Sequence, residues 1–233
     1  MTLLGLSAHA SCYSLTVNHW LCGSYWVDRA GDLRAATVQH LEITVVSVLL
    51  GLAVAFPLSL LARRIGRLET GILGLSTMVY TIPSLALFPL LVPLTGISAK
   101  TIVIGLALYT LTILVRNILA GLRAVPAEVR EAAVGMGYGR GRLLWAVELP
   151  LATPVIMAGL RVATVSTVAL TTIGSILDYG GLGNLLYDGV QNDFKAEILA
   201  ASVLCVALAL VLDGILLGLQ RLLMPWRRGQ VAE

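Results

Sequence analysis

Residues 43–62 contain no charged side chain, and Arg63, Arg64 and Arg67 follow at once. A hydrocarbon core about 30 Å thick is crossed by about 20 apolar residues in a helix, so this run is predicted to span a membrane. The next charge-free stretch, 71–99, is too long for one upright pass. It carries Pro83, Pro89 and Pro93, each of which removes a backbone donor. It is expected to form one kinked helix ending near Pro93. Further spans are predicted at 101–122, at 149–176, where Asp178 and a glycine-rich segment break the run, and at 198–223. With 58% hydrophobic and only 12% charged residues, the chain is an all-α, polytopic helix bundle with five core transmembrane helices.

The basic residues orient the bundle. Arg63, Arg64, Arg67, Arg123, Arg130, Arg140, Arg142, Arg221, Arg227 and Arg228 flank one set of span ends, against Arg29, Arg34, Lys100 and Lys195 at the other. By the positive-inside rule the N-terminus is expected outside and the C-terminus inside. This placement reads as topology and gives no nucleic-acid patch. The chain then divides into 1–40, an extracytoplasmic tail or interfacial helix; 41–225, a transmembrane domain with a loop at 125–150; and 226–233, a cytoplasmic tail. Trp20, Tyr25 and Trp26 suit an interfacial segment over 15–39, and a plain tail remains the alternative. Residues 1–40 lack the charged n-region of a cleavable signal peptide. If that tail is external, a Cys12–Cys22 disulfide is open to it.

Several function classes find no support in these residues. The two lysines, Lys100 and Lys195, lie outside any Gly-x-x-x-x-Gly-Lys-Ser/Thr pattern, so the chain is not its own ATPase of that type. No catalytic Cys/His arrangement and no metal-ligand spacing occurs. His9, His19 and His40 all fall at or before the first span, which argues against a membrane-embedded enzyme. An ATP-independent channel or carrier remains a rival.

The loop between spans three and four, AVPAEVREAAVGMGYGRGRLLWAVELP, is long for a connector and too apolar to be a solvated linker. Pro126 suits the first turn of a short helix, and Glu128 and Glu131 suit its dipole. Val125, Val129, Ala132, Ala133 and Met136 recur at helical spacing. Gly135, Gly137, Gly139 and Gly141 then bend the chain before Leu143, Leu144 and Val147 restart an apolar face. Two short helices joined by a flexible corner are expected, to be covered by another protein or, alternatively, by the bilayer surface, which Trp145, Arg140 and Arg142 would also suit.

Glu131, Ala132, Ala133, Gly137, Val147, Leu149 and Pro150 reproduce at fixed offsets the EAA signature of ABC importer permeases, with Val147 where isoleucine is usual. The chain resembles that family over about 39–225. The resemblance implies a MetI-like permease fold and a loop, carried by these residues, that sits in a groove of a separate cytoplasmic ATP-binding subunit. It also implies ATP and Mg in that partner, no cofactor in this chain, a second permease copy (identical or related), an extracytoplasmic substrate-binding protein and a bacterial inner membrane. Thr81 to Leu87, Arg116–Asn117 and Gly180–Gly181–Leu182–Gly183 look closest to osmoprotectant (glycine betaine, carnitine, choline) permeases; methionine and other amino-acid permeases share much of the pattern.

Two sets of residues inside the spans bear on transport. Pro83 frees a carbonyl near mid-membrane beside Thr81 and Ser84, so these residues, with Asn117, are candidates for the translocation path, against a packing kink capped by the hydroxyls. No aromatic cluster is apparent within the spans, which assigns recognition of a quaternary ammonium cargo to the binding protein. Arg161 and Asp213 lie roughly 16 and 12 Å from the same membrane face at 1.5 Å per residue, and are expected to pair.

Overall fold

The computed structural model describes residues 12, 13 and 17–225, which among themselves are helical with no strand. Arg227, Arg228, His9 and the 226–233 tail lie outside the described residues. A short helix, α1 (Gly23–Asp28), leads into α2 (Ala30–Arg64), whose 35 residues extend about 52 Å. The helix therefore starts thirteen residues before the predicted span and runs unbroken through residue 40, so the segment up to Gln39 is not a separate interfacial helix. Hydropathy marks the lipid-embedded stretch, whereas helical hydrogen bonding continues through Asp32, Arg34 and Glu42 where the chain clears the hydrocarbon. Ahead of it, Cys12 and Cys22 are joined in a disulfide. Asn18 accepts from the Lys195 backbone and donates to the Asp193 carbonyl, which fastens this segment to a distant corner.

The second predicted span is broken rather than kinked. α3 (Gly66–Thr81) and α4 (Ser84–Thr95) meet at 103° across Ile82 and Pro83, both extended. Pro83 has no N–H to continue the helix, and its ring forces the preceding residue out of the helical region. Pro89 and Pro93 are accommodated inside α4.

The central helix is α5 (Ala99–Arg123), with fourteen buried residues. Leu114, Val115, Ile118, Leu119 and Leu122 pack against Ala55 and Ala62 of α2 and against Ala152 and Ala163 further on. Lipid is as apolar as leucine, so close backbone approach at small residues holds such a seam. Hydroxyls are satisfied locally, as where Ser47 and Ser59 donate to the carbonyls of Ile43 and Ala55, or between helices, as where Thr112 donates to the Ser76 carbonyl.

After α5 come α6 (Ala127–Gly135), α7 (Arg140–Leu143), a π-turn over Leu144–Glu148, and α8 (Leu149–Thr171), which tightens into a 3-10 turn over Thr172–Leu177. The fourth span was expected to begin near 149. Instead Arg140–Leu177 is one 38-residue helical run. Pro150 leaves the Ala146 carbonyl without a donor and crowds that turn, which accounts for the widened π segment just before it.

A short amphipathic helix unread in the sequence, α9 (Leu182–Gln191), follows, and then α10 (Lys195–Leu223). Gly181 has φ of +57°, and a Cβ there would lie 2.7 Å from the His40 backbone. The glycine-rich segment thus seals α9 against α2. His40, placed before the first span by the sequence reading, is inside α2 and fully buried, its Nε2 donating to the Val168 carbonyl at 3.0 Å. Counting the broken pair as one, five apolar segments among the described residues are long enough to cross a membrane.

Candidate coupling site and pathway

Proline opens α6 and glycine closes it. The extended backbone of Pro126 (ψ 143°) stands at the cap, Glu128 lies in the first turn, and Gly137 at φ +84° ends the helix. Tyr138 N–H bonds the Ala133 carbonyl at 3.0 Å and Gly137 N–H bonds that of Val134 at 2.9 Å. This is a Schellman stop, and its positive φ accounts for glycine at that place in the signature.

The structure divides the signature between two faces. Glu131 and Ala132 are exposed, whereas Ala133 is 2% exposed and turned to the bundle, as is Val125. Val129, Val134 and Met136 also face outward, so the apolar face read along α6 is split and much of it is uncovered. Val147, Leu149 and Pro150 are half-buried where α8 begins, with Leu149 against the α5 core. Trp145 projects outward, beside Phe56, and Arg142 stacks over Tyr138 at 4.5 Å.

Sequence reasoning missed the residue that anchors this loop. Glu148, 3% exposed, receives both Nη atoms of Arg63 from the last turn of α2, one at 2.7 Å. Arg130 of α6 brings its Nε to 3.1 Å of the same carboxylate and donates through Nη2 to the Leu122 carbonyl at the end of α5. A lone carboxylate in an apolar run two residues before Pro150, in a loop with spare arginines, was the available signal. Nearby, Arg123 of α5 pairs with Glu69 of α3.

At the break in span two, Thr81 donates to the Met78 carbonyl at 2.7 Å, Pro83 caps α4, and Ser84 opens it half-buried. The Ile82 carbonyl accepts from the Tyr109 hydroxyl. Tyr109 meets Tyr80 edge to face at 5.8 Å between centroids, so an aromatic pair does occur within the spans. Its members come together only through the α3–α5 crossing. Thr81 lines a cavity of about 530 Å³ with Thr70, Leu73, Gly74, Thr77 and Met78, and Arg116 donates to Thr77 at 2.8 Å. Asn117 bonds back to the Ile113 carbonyl and packs on Gly159 in the α5–α8 seam.

The structure brings Arg161 of α8 and Asp213 of α10 together as a two-pronged pair, Nε to Oδ1 and Nη2 to Oδ2 both at 2.7 Å. Both line a cavity of about 520 Å³. Replacing Asp213 by Asn leaves an uncompensated arginine inside the spans, which is unfavourable in an apolar surrounding. Thermal unfolding of the purified protein is expected to fall for Asp213→Asn and to recover in Arg161→Gln/Asp213→Asn; a double variant no better than the single would show that the two groups do not couple.

A bundle of long apolar helices with a broken second span, an apolar exterior and an exposed helix on an anchored loop defines a multi-pass membrane protein. The chain belongs to the family described as binding-protein-dependent transport system inner membrane component, which matches residues 47–229. It is 37% identical over 206 residues to the osmoprotectant import permease protein OsmW of Salmonella typhimurium, covering 86% of this chain and 96% of that one. It is 33% identical to the choline transport system permease protein OpuBB of Bacillus subtilis, over 84% of this chain and 90% of the relative. Among solved structures, the inward-facing MetNI methionine ABC transporter superposes with a TM-score of 0.76 at 19% identity, covering 84% of this chain and 98% of that one. That likeness establishes the MetI-like fold.

Proposed function

We propose that this chain is the non-catalytic permease subunit of an ATP-driven importer in a bacterial inner membrane, carrying a quaternary-ammonium osmoprotectant such as glycine betaine, carnitine or choline. The observation that carries the reading is the exposure of Glu131 and Ala132 on a nine-residue helix braced against the bundle. A cytoplasmic ATPase subunit, binding ATP and Mg, receives that helix, with Ala133, Gly137, Val147, Leu149 and Pro150 supporting it. The N-terminus lies outside and the C-terminus inside, in keeping with the arginines at the loop end. One bundle of five spans provides half of a pathway, so a second permease copy completes it and an external binding protein delivers the solute. Thr81, Pro83 and Ser84 border the route of the cargo. The osmoprotectant assignment rests on the relatives' identities of 37% and 33% over most of the chain; the methionine transporter shares the fold alone.

Reconstitution with the ATPase and the binding protein tests this. ATP-dependent uptake of radiolabelled glycine betaine, carnitine or choline into proteoliposomes is expected. Uptake that proceeds without ATP would establish a channel or carrier instead, and uptake of methionine alone would overturn the cargo.

A further inference from the structure

The Glu148 carboxylate joins four segments of the fold. Arg63 belongs to α2, Arg130 to α6, the Leu122 carbonyl that Arg130 also holds to α5, and Glu148 itself closes the π-turn that leads into α8. The backbone around α6 offers no comparable tie. Three residues connect α6 to α5, and on its other side the chain passes the Gly137 stop and Gly139 before reaching α7, whose second residue is Gly141. A displacement of α6 would be absorbed at those glycines. The ionic cluster bypasses them.

Resting on the reading of α6 as the surface that receives an ATPase, we infer that Glu148 is the positioning residue through which movement of α6 reaches the membrane helices. Arg130 carries the displacement from α6 to the carboxylate. The two-pronged Arg63 contact fixes the orientation of that carboxylate against α2, so Glu148 transmits the pull as a turn of the segment before Pro150. A π-turn is a wider, less regular helical turn that readjusts its hydrogen bonds more easily than an α-helix, and here it lies at the root of α8. Two arginines sharing one nearly buried carboxylate also make the cluster sensitive to loss of any member, because the remaining charges lose their partner.

The test measures solute carried per ATP hydrolysed by the full complex with binding protein in proteoliposomes. Arg130→Gln is the decisive variant, since it cuts the tie to α6 and leaves the Arg63–Glu148 pair in place. It is expected to keep the complex assembled and the partner hydrolysing ATP, while solute carried per ATP falls about tenfold, within the span of typical inter-site coupling. Glu148→Gln is expected to fall at least as far, and Arg130→Lys to recover part of the ratio. An Arg130→Gln complex with the wild-type ratio would overturn the inference, as would a loss of assembly and thermal stability with the ratio of the remaining complex unchanged, the mark of a brace alone. A wild-type complex without ATP-driven uptake would instead overturn the functional reading beneath it.

Discussion

Glu131→Arg is expected to separate the permease from its ATPase subunit and to abolish ATP-driven uptake, with the permease itself still folded in the membrane. Glu131 is exposed in the middle of α6, so the substitution leaves the bundle's packing untouched and its effect on stability should stay within about 0.5 kcal/mol. At the interface the effect is large. The change reverses an exposed charge on the helix that also exposes Ala132, Val134 and Met136, and loss of an interface anchor costs about 2 kcal/mol or more, about 30-fold in affinity. Co-purification with the ATPase subunit, beside a melting curve of the permease alone, reads both quantities. Retained co-purification would move the docking surface away from α6, and a collapsed melting temperature would show that Glu131 supports the fold.

Gly159→Val is expected to have the largest effect on the folded bundle. A Cβ at this position would lie 2.3 Å from the Asn117 Cβ and 2.5 Å from its Cγ, in the seam between α8 and α5. Asn117 is held by its bond to the Ile113 carbonyl and cannot swing aside without losing it. Overpacking costs about 1–3 kcal/mol in ordinary cores. Here the upper end of that range is expected, because prying α5 from α8 also opens the contacts around Leu114, Ile118 and Ala152. The readout is folded yield and melting temperature in detergent. Gly71→Val is the control, with nothing within 4 Å of its added carbon, and it should behave like the parent. Equal behaviour of the two variants would show that close packing at Gly159 does not hold the seam.

The spans at 101–122 and 198–223 were readable to within a few residues, since about twenty predominantly apolar residues in lipid leave the backbone few alternatives to a helix, even with Arg116 or Asp213 among them. The loop signature was readable as well, and Gly137 turned out to stand where a helix stop requires positive φ. Other features were not legible. The proline at 83 announced a bend, but nothing in the local pattern announced that the two helices would meet at 103°. The amphipathic α9 was hidden in a polar, glycine-rich stretch that reads as a break. Glu148 looked like an ordinary residue between two signature positions, and Tyr80 and Tyr109 looked like isolated aromatics.

Membrane residence, the number of crossings and the position of the loop were thus determined by the sequence alone, because transfer from water to lipid is summed residue by residue along the chain. The tertiary structure decided which face of α6 is free, that Arg63 and Arg130 converge on Glu148, and that Arg161 meets Asp213. Those pairings join residues 85, 18 and 52 positions apart, and they depend on how helices cross, a property of the assembled bundle that no local pattern of hydropathy contains.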